Sequence, residues 1–199
     1  MAFFHYSMCM PKTAVETRSD INPNIVQEGH SVLRAKAKEV PVLNIESNKI
    51  KKILNDMKKI LSKEEDGIAI AAPQIGESLS IFIVSGKVLK SADKNYKGDE
   101  SYITYINPII TKLSKEKQEV EEGCLSVRWK YGKIKRAKKA TVKAYDEKGK
   151  IFERGASGVL AQVFQHEIDH LNGILFVDNA HDIKNIPPEE QEKLHKKII

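Results

Sequence analysis

The spacing of apolar residues along the chain predicts two helices. Between Ser47 and Ser62 apolar residues recur every three or four positions with lysines between them, which predicts an amphipathic helix of about four turns. A second stretch with helical spacing covers residues 157–172 and is apolar over more than one face, so we expect it in the core. Ser157 is its candidate N-cap, and Asn172-Gly173 supplies a stop signal.

The other apolar segments favour strands. Residues 80–84 and 102–110 are rich in β-branched and aromatic side chains. Residues 140–145 alternate between apolar and polar, and together with 150–153 they predict a β-hairpin with a glycine in its turn. This hairpin leads directly into the second helix. We expect a last short strand at 174–177.

Length and composition indicate one domain. The chain has 199 residues and 41% hydrophobic content, which suffices for a single sizeable core. Residues 1–24 show no periodicity and no secretory signal pattern, and we expect an N-terminal extension there. Residues 25–199 are then a single domain that ends in a helix opened by Pro187 and Pro188. Because no apolar run approaches the length of a bilayer, we expect no membrane partner.

Cysteine usage and charge narrow the setting of the protein. The two cysteines, Cys9 and Cys124, cannot form a disulfide framework, which favours a reducing compartment and leaves Cys124 available for metal or catalytic work. We therefore expect a reducing compartment such as the cytoplasm, with an organellar address left open. The formal charge of +6 is compatible with a solvated surface and equally with a weak contact to RNA or a ribosome. We expect no DNA partner.

The second predicted helix carries two histidines and an acid in the pattern His166-Glu167-x-x-His170. Positions four apart lie on one helix face, so both rings can reach one ion. A divalent metal would satisfy two buried imidazoles and leave room for a bound water, from which Glu167 can take a proton. Two histidines at this spacing alone are more often satisfied core or surface residues, and the added acid favours a metal site.

Two further segments have compositions suited to a binding site. Residues 67–74 are small and apolar and end in Gln74, so a ligand or another backbone can approach them closely. A core-lining segment with an incidental Gln is the alternative. Residues 121–127 place Cys124 after a glycine, and it is the only other soft-ligand candidate outside the N-terminal tail. A small buried hydrophobe is the alternative for this cysteine.

With these three segments in this order, the chain resembles the peptide deformylases, which remove the formyl group from the N-terminal methionine of new chains and release formate. The family signatures are Gly-x-Gly-x-Ala-Ala-x-Gln, Glu-Gly-Cys-Leu-Ser and His-Glu-x-x-His, and the likeness covers about residues 25–180. The resemblance implies a hydrolase of protein biosynthesis. It also implies an α+β fold of antiparallel β-sheets packed around a central metal-binding helix, with a C-terminal helix. Ala69 departs from the family glycine, and its methyl group is expected to narrow the substrate cleft or shift the bound peptide.

The resemblance implies a metal held by Cys124, His166 and His170, with water in the fourth position. Glu167 would be the general base and later the acid. The family often uses Fe(II), and zinc, nickel and cobalt also occupy such sites, among which the sequence does not choose. Three protein ligands with one open position are what a catalytic site requires.

The resemblance also implies a binding site for N-formylmethionyl nascent peptides. Gln74 and the backbone N–H of Leu125 would hold the formyl oxygen as it becomes an oxyanion. Asp169 would anchor the metal site, paired with Arg136. The expected substrate-binding residues, some of which have core packing as their alternative role, are Gly67, Ile68, Ala69, Val120, Gly123, Val159 and Val163.

Two other functions fit parts of the pattern. A zinc peptidase of the His-Glu-x-x-His type would cleave unformylated peptides, although Cys124 in its signature argues against that class. A catalytically dead relative would bind ribosomes or nascent chains, although Glu167 and Gln74 are both present. The basic terminal helix is a candidate ribosome contact.

Overall fold

The computed structural model describes residues 22–64, 67–88 and 101–186. Nearly all of the predicted extension at 1–24 lies outside these ranges, and so does the terminal helix expected from Pro187 onward. Both stay predictions. Among the helices that the structure describes, none is long and apolar enough to cross a membrane.

The described part of the chain includes two long α-helices and eight strands. The helices are α1 (Asn48–Leu61) and α2 (Gly158–Leu171). The strands are β1 (Ala69–Ala71), β2 (Ile81–Val84), β3 (Ile103–Leu113), β4 (Lys117–Gly123), β5 (Lys130–Ala137), β6 (Lys139–Tyr145), β7 (Ile151–Ser157) and β8 (His181–Asn185). Short 3-10 turns cover Ser31–Arg34, Val42–Asn44, Ala72–Ile75 and Phe176–Asp178.

The strands form two antiparallel sheets. One has five strands in the order β1-β2-β3-β6-β7, and the other has three in the order β4-β5-β8. Every pairing within both sheets is antiparallel. The α+β class with antiparallel sheets around a central helix is therefore confirmed, as is the hairpin of β6 and β7.

Helix α1 follows its sequence pattern. Ser47 is extended and accepts a hydrogen bond from the backbone N–H of Ile50, which caps the first turn. The apolar stripe packs against the five-stranded sheet, and its buried members are Ile50, Ile53, Leu54, Met57 and Leu61. The predicted helix is confirmed within one residue at each end.

Helix α2 is the central element that the sequence predicts. Leu160, Ala161 and Phe164 are buried in the core that α2 shares with the five-stranded sheet. The helix starts where expected, but the Ser157 side chain makes no capping hydrogen bond. Gly173 ends it at φ +75°, and a Cβ there would lie 2.5 Å from the Arg34 carbonyl oxygen, so only glycine fits.

The expected strand at 174–177 is wrong. The chain forms a 3-10 turn at Phe176–Asp178, in which Asp178 accepts the backbone N–H of Leu175 at 2.9 Å. Leu175 and Phe176 are both buried in one small core with Leu33. Consecutive strand residues would face opposite sides of a sheet, so burying both on one side requires a turn. The last strand of the described chain is β8 instead, which pairs with β5.

Candidate active site

Three elements deliver the predicted site residues to one place. Strand β1 runs into the turn that carries Gln74, and β4 ends immediately before Cys124. Helix α2 supplies His166, Glu167 and His170. Strands β1 and β4 are each the terminal strand of their sheet, so the site lies where two sheet edges approach the central helix.

The three predicted ligands converge. One ligand atom each from Cys124, His166 and His170 lie within 4.8 Å of one another. The Sγ atom of Cys124 is 3.1 Å from Nε2 of His170, and the two imidazole rings meet edge to face with centroids 5.0 Å apart. One thiolate and two imidazole nitrogens form a donor set that binds transition metals and leaves a fourth position open.

The electrostatics favour a cysteine thiolate. Burial opposes ionisation of the Cys124 thiol, but His170 and His166 outweigh it and lower the pKa of the thiol to about 5. The backbone N–H of Ser126 also donates to Sγ at 3.4 Å. Because the thiolate is the form that binds metal, the cysteine is ready to act as a ligand at neutral pH.

Glu167 is a buried acid beside the three ligands. Burial raises the pKa of its carboxyl to about 7, although the nearby His166 and His170 lower it. Among the described residues, no group hydrogen-bonds to Oε2 of Glu167 or to Nδ1 of His170. Buried polar atoms are normally partnered, so these two atoms fit a site built for a further group. A carboxyl pKa near neutrality suits proton transfer in both directions.

The Gln74 side chain is buried and held in one orientation. Its Oε1 accepts the backbone N–H of Ala71 at 2.7 Å, so the amide nitrogen is turned the other way, 3.6 Å from Sγ of Cys124. The carbonyl of Leu125 accepts a hydrogen bond from the Gln27 side chain at 3.0 Å. The structure thus aims one side-chain donor, the Gln74 amide, at the ligand cluster.

Comparisons with known proteins point to one family. The family model described as polypeptide deformylase matches residues 23–185. The chain belongs to this family. It is 43% identical over 147 residues to peptide deformylase 2 of Clostridium acetobutylicum, covering 74% of this chain and 87% of that one. It is 39% identical over 174 residues to a Fusobacterium nucleatum peptide deformylase, covering 87% and 89%. A peptide deformylase from Synechococcus elongatus, solved with actinonin, superposes with a TM-score of 0.70 at 30% identity, covering 91% and 90%.

As a deformylase, the chain is a metal-dependent hydrolase that removes the N-formyl group from nascent peptides.

The predicted substrate-binding residues of this deformylase differ in accessibility. Ile68 and Val159 are 42% and 50% exposed, whereas Val163 is buried at the same helix face as the histidines. Val120, Gly67 and Gly123 are half-buried. Ala69 is 7% exposed and its methyl group belongs to the core shared with β2 and α2.

Glu122 contacts a predicted ligand of this deformylase, although the sequence analysis assigns it no role. Its Oε2 lies 3.0 Å from Nδ1 of His166, which leaves the other ring nitrogen for the metal site. Arg136 donates to both Glu122 oxygens, at 2.8 and 2.9 Å, and to Asp169 at 2.6 Å. The expected pairing of Asp169 with Arg136 is confirmed. Burial raises the pKa of Glu122, but His166 and Arg136 prevail and lower it to about 2.

Proposed function

We propose that Cys124, His166 and His170 hold one divalent ion, and that Glu167 and Gln74 act on the formyl group beside it. The observation that carries this proposal is the convergence of one sulfur and two ring nitrogens within 4.8 Å. An ion bound there would act as a Lewis acid and lower the pKa of a coordinated water to about 7. We propose Fe(II) as the native ion, and zinc, nickel and cobalt suit the same donors.

Glu167 would move the proton. Its carboxyl group, with a pKa of about 7, is ionised in part of the population at neutral pH and can accept a proton as the general base. The same carboxyl can then donate that proton to the departing amine of the peptide. Burial keeps bulk water from exchanging with the proton in between.

Gln74 and Leu125 would stabilise the oxyanion. The Gln74 amide is locked by Ala71, so its N–H groups need no reorientation when charge develops on the formyl oxygen. The backbone N–H of Leu125 would be the second donor. One such donor contributes roughly 2.7 to 4 kcal/mol to the transition state where the loss has been measured.

The peptide would bind as an extended strand between the two sheets. Both β1 and β4 are terminal strands, and terminal strands offer backbone groups to an added strand. Gly67, Ala69 and Gly123 would supply the backbone contacts. The methionine side chain would enter an apolar pocket lined by Ile68, Val120, Val159 and Val163.

Formate release from a formyl-Met-Ala-Ser peptide tests this function, with the unformylated peptide as the comparison substrate. We expect formate from the first and no cleavage of the second. Internal cleavage of the second peptide with no formate from the first would indicate a peptidase instead. Elemental analysis of anaerobically purified protein would identify the ion, and zinc without iron would refute our assignment of Fe(II).

We also propose a cytoplasmic bacterial enzyme that contacts the ribosome through its basic C-terminal segment. The reduced state expected of Cys124 and the formal charge of +6 support this setting, with an organelle as the alternative. Residues 1–24 would be an extension of a single catalytic domain. Deletion of residues 187–199 should reduce co-sedimentation with ribosomes, and undiminished co-sedimentation would refute the proposed contact.

A further inference from the structure

A buried ion pair joins the chain segments on either side of the candidate active site. Nη2 of Arg128 lies 2.5 Å from Oε2 of Glu64, and each side chain is only 8% exposed. Asn22 donates to the other Glu64 oxygen at 2.9 Å, so both carboxylate oxygens are engaged. The guanidinium also lies over the Trp129 ring, 5.2 Å from its centroid. Charges this deeply buried tolerate little displacement, because separating them leaves each one desolvated and unpaired.

On one side, Glu64 contacts the start of the first signature directly. The carbonyl of Glu64 accepts the backbone N–H of Gly67 at 3.1 Å. A Cβ on Gly67 would lie 2.8 Å from Cβ of Glu64, so the two residues pack without any side chain between them. A shift of Glu64 would therefore move Gly67 and the adjoining Ile68 and Ala69.

On the other side, Arg128 directly follows the turn that carries the cysteine ligand. The backbone N–H of Val127 donates to the Cys124 carbonyl at 3.0 Å and closes that turn. Gln27 holds the Leu125 carbonyl within the same turn. A shift of Arg128 would therefore be transmitted to Cys124 and Leu125.

We propose that the Glu64–Arg128 ion pair is a positioning pair that fixes the separation of the two walls of the peptide cleft. The walls are residues 67–69 and 123–125, between which our proposed function places the substrate backbone, so this inference rests on that function. Neither charge touches the metal-ligand atoms. The pair affects the binding affinity for the peptide residues that follow formylmethionine.

The double variant Glu64→Gln/Arg128→Met tests this role, because it removes both charges of the pair together. Steady-state kinetics would use formyl-Met-Ala-Ser and the shorter formylmethionine amide. We expect KM for the tripeptide to rise about tenfold with kcat within about twofold, because only binding common to ground and transition states is lost. KM for the amide should stay within about twofold, since it does not span the cleft.

A matched control separates positioning from stability. Lys58 and Glu147 form an ion pair at 2.6 Å that joins α1 to the β6–β7 turn. Lys58→Met/Glu147→Gln removes the same two charges, and we expect a lower Tm than wild type with both KM values unchanged. The single variant Arg128→Lys keeps the positive charge beside Glu64. Its KM for the tripeptide should therefore be closer to the wild-type value than that of the double variant.

Equal changes in KM for the tripeptide and the amide would overturn the proposal, as would the same tripeptide effect in the control variant. Circular dichroism and Tm of each variant establish that the folded protein is being assayed. If the wild-type enzyme releases no formate from either substrate, the proposed function fails. A different result would refute the positioning role alone: the wild-type enzyme releases formate, and the double variant has the same KM values as wild type.

Discussion

Replacing Glu122 with Gln should weaken both the fold and the metal site. The substitution keeps the shape of the side chain but removes the charge that faces Arg136 and His166. The contacts to His166 and Arg136 lower the pKa of the Glu122 carboxyl on folding from 4.5 to about 2. At 1.36 kcal/mol for each unit, this difference is worth about 3 kcal/mol of unfolding free energy at neutral pH.

The pH dependence of this loss has a definite sign. Because the pKa of Glu122 is lower in the folded state, its contribution is fully present above about pH 4.5 and disappears as the pH falls through about 2. Urea unfolding of metal-free wild-type and Glu122→Gln protein should therefore differ by about 3 kcal/mol at pH 7 and by about half as much at pH 3. Metal-free protein is needed because a bound ion would stabilise the two proteins unequally.

The same variant should bind metal about 10 to 100 times more weakly, since the carboxylate orients the His166 ring through Nδ1. Competition with a chromophoric chelator would measure this change. Glu119→Gln on the same strand is the control: Glu119 is 42% exposed and pairs only with the exposed His181 among the described residues, so we expect changes within about 0.5 kcal/mol. A Glu122→Gln protein as stable as this control at pH 7 would refute the electrostatic argument.

Four further predictions concern the site and the core. Glu167→Gln should retain the metal but lose turnover by about 10² to 10⁴, and unchanged formate release would refute its assigned role. Ala69→Gly should lower the tripeptide KM or leave it unchanged, and a sharp fall in kcat/KM would show that the cleft requires the methyl group. Gly123→Ala should reduce kcat/KM because its Cβ would lie 2.5 Å from the Tyr131 ring, and Tyr131→Ala in the same protein should restore part of the loss. Met57→Ala should cost about 2 to 5 kcal/mol in urea unfolding with kcat/KM unchanged, because Met57 is fully buried in α1.

Local signals explain what the sequence predicted well. The Ser47 cap and the apolar stripe of α1 lie within one short segment, so the helix could be predicted nearly to the residue. The helical spacing of His166 and His170 likewise fixes their common face without knowledge of the rest of the fold. Cys124 is 46 residues from His170, and only the family signatures tied it to the histidines before the structure placed the atoms together.

Long-range packing explains what the sequence did not predict. Residues 133–136 form a basic run in the sequence, yet Arg136 is buried and directed at two acids from other elements. Its neighbours Lys133 and Lys135 are exposed, as strand alternation requires. The sequence signal for the burial of Arg136 is strand alternation, which places every second residue of a strand on the buried face.

The Arg136 network also couples the three-stranded sheet to the central helix. Arg136 lies on β5, Glu122 on β4 and Asp169 on α2, so one guanidinium fixes three elements relative to one another. Glu122 precedes Cys124 by two positions, and Asp169 precedes His170 by one, and both of these are proposed ligands. The ion pairs of Arg136 therefore hold the segment before Cys124 close to the last turn of α2, where the sulfur and the ring nitrogens converge. Charged neighbours of this kind orient the groups of a site, which is the preorganisation that catalysis requires.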